Sequence, residues 1–173
     1  MSGYLENGQW HEGWYDTRKS QSAFIRTDSA FRNWVRADPS SMYPAQPGRY
    51  HLYVSLACPW AHRTVIARSL KKLESIVALS VVEPVMSKGW AFSEMLADHA
   101  NGFQFMHQLY TAAQPDYTGR ALVPVLWDTG TRSIVSNESA DIVRMFDQEF
   151  AEWGGQFCRA LSRSPARGNR QNQ

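Results

Sequence analysis

Residues 49–64 read Arg49-Tyr50-His51-Leu52-Tyr53-Val54-Ser55-Leu56-Ala57-Cys58-Pro59-Trp60-Ala61-His62-Arg63-Thr64, and the two halves of this stretch obey different rules. Tyr50 to Ser55 concentrates aromatic and branched side chains, the composition of a strand. Pro59 stands where a helix starts, because a proline in the first helical turn forfeits no hydrogen bond. Val65, Ile66, Ser69, Leu70 and Leu73 follow at helical spacing and predict a helix from Pro59 to about Leu73. Cys58 therefore falls at the junction, after a strand and before a helix.

Outward from that junction the pattern continues. Ile76 to Val82 is an unbroken apolar run suited to a buried parallel strand. Strand, helix and strand within about thirty residues make a βαβ unit. Phe92 to Tyr110 shows broken helical patterns around Asn101-Gly102. Leu122 to Trp127 and Ser133 to Val135 read as a hairpin over Asp128-Thr129-Gly130. Glu138 to about Phe146 is a helix carrying Ile142, Val143 and Phe146 on one face. The order β-α-β-(α)-β-β-α is that of an α/β thioredoxin fold.

Three regions follow. Residues 1–48 are polar and rich in turn formers, with Trp10, Trp14, Tyr15, Phe24, Phe31 and Trp34 placed to pin them down; they are expected to wrap the domain and to end in a linker at Pro39, Pro44, Pro47 and Gly48. Residues 49–150 form the thioredoxin-like domain. Residues 151–173 lose helical periodicity and are expected to be a disordered tail.

The net charge of +2 hides an asymmetry. Arg159, Arg163, Arg167 and Arg170 lie in a C-terminal stretch without acidic residues; removing those four of 18 basic residues leaves 14 against 16 acidic ones. A slightly acidic body is not a nucleic-acid surface. No apolar stretch is long enough for a bilayer, and Met1 to Glu12 lacks the parts of a secretory signal. Two cysteines a hundred residues apart are no disulfide framework. These features point to a reduced, cytoplasmic protein without nucleic-acid or membrane partners.

At the junction, free N–H groups and the helix dipole favour a Cys58 thiolate; a buried structural cysteine is the plainer alternative. Ala61 stands where a dithiol oxidoreductase carries its resolving cysteine, so an external thiol must resolve any mixed disulfide at Cys58. Glutathione fits that role. His62, one helical turn on, has no acidic or cysteine cluster to complete a metal site; it and Arg63 are read as packing and polar contacts near the thiolate. Val123-Pro124 matches the cis-proline that faces the cysteine in this architecture, and an edge-strand proline also accounts for it. Ser136 or Asn137 caps the last helix, with Glu138 able to pair with an ammonium and Ser139 able to donate to a carboxylate. An ordinary capped helix explains the same residues.

Taken together, the chain resembles the glutathionyl-hydroquinone reductases, the Xi class of glutathione transferases. The resemblance runs from about Phe31 to Phe146. It is carried by residues 49–64, by Lys88-Gly89-Trp90-Ala91-Phe92, by Tyr117-Thr118-Gly119-Arg120, by Val123-Pro124-Val125-Leu126-Trp127-Asp128 and by Asn137-Glu138-Ser139. The Cys-Pro-Trp-Ala-His-Arg run is highly specific for that family. The resemblance implies Cys58 as nucleophile, with Trp90, Arg120, the Val123 backbone, Glu138 and Ser139 holding glutathione as co-substrate, and no metal. Leu122 replaces the family's usual threonine.

The implied reaction is reduction of a glutathionyl-hydroquinone, a glutathionylated aromatic small molecule, through a Cys58–glutathione disulfide, in a family that is typically homodimeric. Its members continue into an all-helical second domain bearing the aromatic pocket, and that domain is expected to be missing here. Suitable codons for Leu161 to Gln173, read one base later, can encode a family-like entry into it. A frameshift between about Gly154 and Leu161 is therefore expected, with activity impaired by truncation. Cys158 is given no role. Two alternatives stand beside this reading: a monothiol glutaredoxin-like reductase of mixed disulfides, and an inactive glutathione-binding fragment.

Overall fold

The computed structural model describes residues 3–13 and 29–154. The expected tail from Gly155 onward, Cys158 included, lies outside the described residues, as do Trp14, Tyr15 and Phe24.

Strand β3 (Tyr50–Val54) is buried at all five positions. It pairs in parallel with β4 (Val77–Val81) and antiparallel with β5 (Val125–Asp128), which pairs with β6 (Ser133–Ser136) to give the order β4-β3-β5-β6. Helix α1 (Pro59–Leu70) joins β3 to β4, α2 (Met106–Ala113) precedes β5, and α3 (Ser139–Gln148) follows β6. Helices α1 and α3 pack on each other, and α2 packs on β6. This is the thioredoxin-like arrangement that the sequence predicts. Trp127, Tyr50, Tyr53, Tyr110, Phe146 and Phe150 are the largest fully buried side chains, each contributing on the order of 1.5–3 kcal/mol of burial.

Several details differ from the sequence reading. β4 is an edge strand, buried at Val77 and Ser80 but open at Ala78. Helix α1 stops at Leu70, because Lys72 takes a left-handed φ of 55°. Its apolar periodicity also misleads: the buried residues are the small Ala61 and Thr64, whereas Ile66 and Leu70 are exposed. Asp128, expected in the turn, belongs to β5, and the β5–β6 connection is residues 129–132. Of the expected linker residues Pro39, Pro47 and Gly48 are exposed, whereas Pro44 is buried with Ala45 and its carbonyl accepts the Tyr50 hydroxyl at 2.7 Å.

The largest addition is a hairpin at the start of the chain, β1 (Gly3–Glu6) and β2 (Gln9–Glu12), turning on Asn7 and Gly8 with φ of 49° and 78°. Both positive dihedrals belong to the type I′ turn that asparagine–glycine pairs favour. Further along, Trp34 donates to Glu149 at 2.8 Å and Arg32 to Asp141 at 2.8 Å, tying residues 32–34 to α3.

Candidate functional site

The site forms where β3 ends. A turn closed by the Cys58 N–H on the Ser55 carbonyl (3.1 Å) sets Cys58 as the N-cap of α1, with no side chain capping the helix and Pro59 in its first turn. Cys58 thus stands at the start of the helix, and its side chain makes no capping bond to the first-turn N–H groups. Opposite it, the Val123–Pro124 peptide bond is cis. The Cys58 thiol donates to the Val123 carbonyl at 3.8 Å. Cys58 is half-buried, with Leu56 and Trp60 exposed beside it and Leu122 exposed beside Val123.

The second cluster lies at the start of α3. Glu138, rather than Ser136 or Asn137, is the N-cap, and its Oε1 accepts the Ala140 N–H at 3.2 Å. Asn137 is used elsewhere: it accepts from the Phe31 N–H at 3.2 Å, and its amide donates to the Tyr110 hydroxyl at 3.2 Å. Arg63 of α1 donates to the Ser139 hydroxyl from Nε (3.1 Å) and Nη2 (2.5 Å), and its guanidinium lies 3.7 Å from Glu138. Arg63 therefore joins the cysteine-bearing helix to the α3 terminus, although the sequence reading put it beside the thiolate. His62 is exposed, and its backbone N–H makes the first helical hydrogen bond to the Cys58 carbonyl at 2.9 Å.

Trp90 and Arg120 sit on separate segments outside the sheet. The Trp90 carbonyl accepts the Met106 N–H at 2.9 Å, and the Arg120 carbonyl accepts the Tyr117 hydroxyl at 3.3 Å. So Cys58 meets Val123, and Arg63 meets Glu138 and Ser139, while Trp90 and Arg120 are fixed through their backbones.

Two residues of this region escaped the sequence reading. Tyr110 donates to the Leu122 carbonyl (2.9 Å) and accepts from the Leu122 N–H (3.1 Å) and from Asn137, so one hydroxyl braces both the approach to Val123 and the approach to Glu138. Burial pushes this phenol well above its usual range, which keeps its proton available for donation. Ser29 donates to Glu138 at 2.9 Å. Nothing in the sequence pattern marks either residue. Among the described residues no cluster of histidine, cysteine, aspartate and glutamate could hold a metal ion, and no helix is long and apolar enough to cross a membrane.

Comparison with known proteins places this geometry. A profile of the glutathione S-transferase N-terminal domain matches residues 57–149. Glutathionyl-hydroquinone reductase YqjG of Escherichia coli K12 is 49% identical over 163 residues, covering 88% of this chain and 50% of the relative. Glutathionyl-hydroquinone reductase PcpF of Sphingobium chlorophenolicum is 42% identical over 88% of this chain and 49% of the relative. Among solved structures, glutathione-bound YqjG superposes with a TM-score of 0.74 at 45% identity, over 88% of this chain and 47% of that one. A Xi-class enzyme from Natrialba magadii superposes with a TM-score of 0.77 at 42% identity, over 89% and 47%. The chain spans about half the length of the curated relatives it matches.

Proposed function

Because the chain belongs to the glutathione S-transferase N-terminal domain family, we propose that residues 49–150 bind glutathione and carry out the glutathione-dependent reduction of glutathionyl-hydroquinones through Cys58. The observation that carries the reading is the half-buried Cys58 at an uncapped helix N-terminus, facing the Val123 carbonyl across a cis-proline. The names of YqjG and PcpF, the first two relatives, supply the substrate class.

In the first step the Cys58 thiolate attacks the sulfur that joins glutathione to the aromatic ring. A sulfur–sulfur bond forms, the carbon–sulfur bond breaks, and the ring carbon takes a proton. The ring leaves as hydroquinone and the two sulfurs are oxidised to a mixed disulfide. A second glutathione thiolate then attacks that disulfide, releasing oxidised glutathione and restoring Cys58. Ala61, in place of a second cysteine, leaves resolution to that external thiol.

The remaining residues bind. The Val123 backbone would hold the cysteinyl part of glutathione beside Cys58. Glu138 would receive the γ-glutamyl ammonium, and Ser139 with the α3 terminus its carboxylate. Trp90 and Arg120 would close over the remainder. A reducing cytoplasm would keep Cys58 as a thiol and supply the glutathione.

The test is purified protein supplied with glutathione and a glutathionyl-hydroquinone. Hydroquinone and oxidised glutathione should appear in equal amounts, and Cys58→Ser should abolish both while leaving the thermal melt intact. No hydroquinone from the wild type removes the reductase assignment. Turnover of a glutathionylated peptide in its place would support a glutaredoxin-like reductase.

A further inference from the structure

We propose that the N-terminal hairpin is a positioning element for glutathione recognition, because it grips both segments that present Trp90 and Arg120. The inference rests on the assignment of those two residues made above, and it gives a role to a part of the chain distant in sequence from Cys58.

The first grip is made by β1. The Leu5 N–H donates to the Gly119 carbonyl at 2.7 Å, and the Gly119 N–H returns the bond to Leu5 at 2.8 Å. The Gly8 N–H donates to the Tyr117 carbonyl at 3.0 Å and the Asn7 N–H to the Thr118 hydroxyl at 2.9 Å. Four hydrogen bonds thus fix residues 117–119, and Arg120 is the next residue. At the turn, a Cβ on Gly8 would lie 1.9 Å from the Pro115 carbonyl oxygen, so the hairpin tip is seated against backbone that has no room to give.

The second grip is made by β2. The Trp10 ring stacks on His107 with centroids 4.4 Å apart and planes 17° from parallel. His107 lies in the first turn of α2, directly after Met106, whose N–H holds the Trp90 carbonyl. The other flank of Trp10 lies against Gly89, where a Cβ would come within 2.8 Å of the ring and where φ is +80°. Trp10 therefore fills the gap between the residue before Trp90 and the residue after its backbone partner. Segments 89–90 and 117–120 both lie outside the four-stranded sheet, and the hairpin ties them to each other.

A hairpin that merely added stability would leave the preference for glutathione untouched, and that separates the two roles. Cys58 is treated with oxidised glutathione; its thiolate attacks one sulfur, the disulfide passes to Cys58 and one glutathione thiolate leaves. The rate is read by mass spectrometry and divided by the rate of alkylation with iodoacetamide, which needs no recognition. Trp10→Ala should lower this ratio about tenfold through misplacement of the binding groups, with iodoacetamide reacting as before. Trp10→Phe keeps the stack and should restore the ratio to within about twofold. Thr118→Val, which removes only the acceptor of Asn7, is the milder arm and should lower it about threefold; it decides the matter if Trp10→Ala does not melt cooperatively. Trp90→Ala and Arg120→Ala serve as references. If neither of them changes the ratio, the glutathione assignment itself is wrong. If they lower it while Trp10→Ala and Thr118→Val leave it unchanged, the hairpin is structural and this proposal is overturned.

Discussion

At the N-terminal end of β3, Arg49 clasps the fully buried Asp128 with hydrogen bonds of 2.8 and 2.7 Å; beyond its C-terminal end, Cys58 meets Val123 across 3.8 Å. The same two strands feed both ends. At the first, each Asp128 oxygen also takes a further donor, the Gly130 N–H at 3.0 Å and the Thr131 hydroxyl at 2.8 Å. At the second, the cysteine helix has no side-chain cap and exposed apolar groups surround the thiol. One end gathers four donors around a buried carboxylate, whereas at the other the half-buried thiol has a single carbonyl neighbour. The two ends share strands but no side-chain partner among these contacts.

The largest test removes the clasp. Asp128→Ala takes the carboxylate from Arg49, Gly130 and Thr131, leaving Arg49 only Gln46 and Met42 among its hydrogen-bond acceptors here, and should lower unfolding free energy by about 3–5 kcal/mol, read by urea denaturation. Cys58 alkylation in the folded protein should be unchanged; a parallel loss of thiol reactivity would show that the two ends are not independent. The clasp also has an acid signature. Burial pushes the Asp128 carboxyl up, but hydrogen bonds from Arg49, Thr131 and Gly130 outweigh it and hold the group below its ordinary value. Its contribution is therefore complete above the unfolded pKa of about 3.9 and is lost as pH falls below it.

A second test titrates the middle of β3. His51 is buried and shares a 2.8 Å hydrogen bond with Ser80, and burial pushes its pKa down to about 4. The unfolded chain takes up that proton near pH 6.5, so stability should fall on acidification from about 6.5 to 4, by about 3 kcal/mol. Thermal melts across that window should show the decline, and His51→Gln should flatten it.

The smallest effect belongs to the open end. Tyr110→Phe deletes one hydroxyl and leaves the buried Asn137 amide without that partner, which should cost about 1–2 kcal/mol. Glutathionylation of Cys58 should slow about threefold while iodoacetamide alkylation holds its rate. Equal slowing of both would mean that Tyr110 acts on the thiol and not on the flanks of the binding groups.

Much of this was legible in residue order. Aromatic and branched residues marked β3, Pro59 marked the start of α1, and Val123-Pro124 carried the cis bond that the cysteine made meaningful. The outward face of α1 was not legible, because Ile66 and Leu70 keep helical spacing while the buried side is made by the small Ala61 and Thr64. Nor was the cap of α3: Glu138 takes it because Asn137 is held by Phe31 and Tyr110, partners 106 and 27 residues away. The hairpin had a readable signal in Asn7-Gly8, yet four-residue polar strands are weak alone and draw their stability from Gly119 and His107. Arg63 sat in plain view within the Cys58 motif, but its partners on α3 are supplied by tertiary packing.

The distance along the chain between Cys58 and Val123 has a consequence for biosynthesis. Sixty-five residues separate them, and at roughly 5–20 residues per second a ribosome needs several seconds to supply the second after the first. During that interval the sulfur has neither its carbonyl neighbour nor a completed sheet behind it. The nascent chain thus carries the Cys58 thiol without its Val123 neighbour until the second half of the sheet has been made.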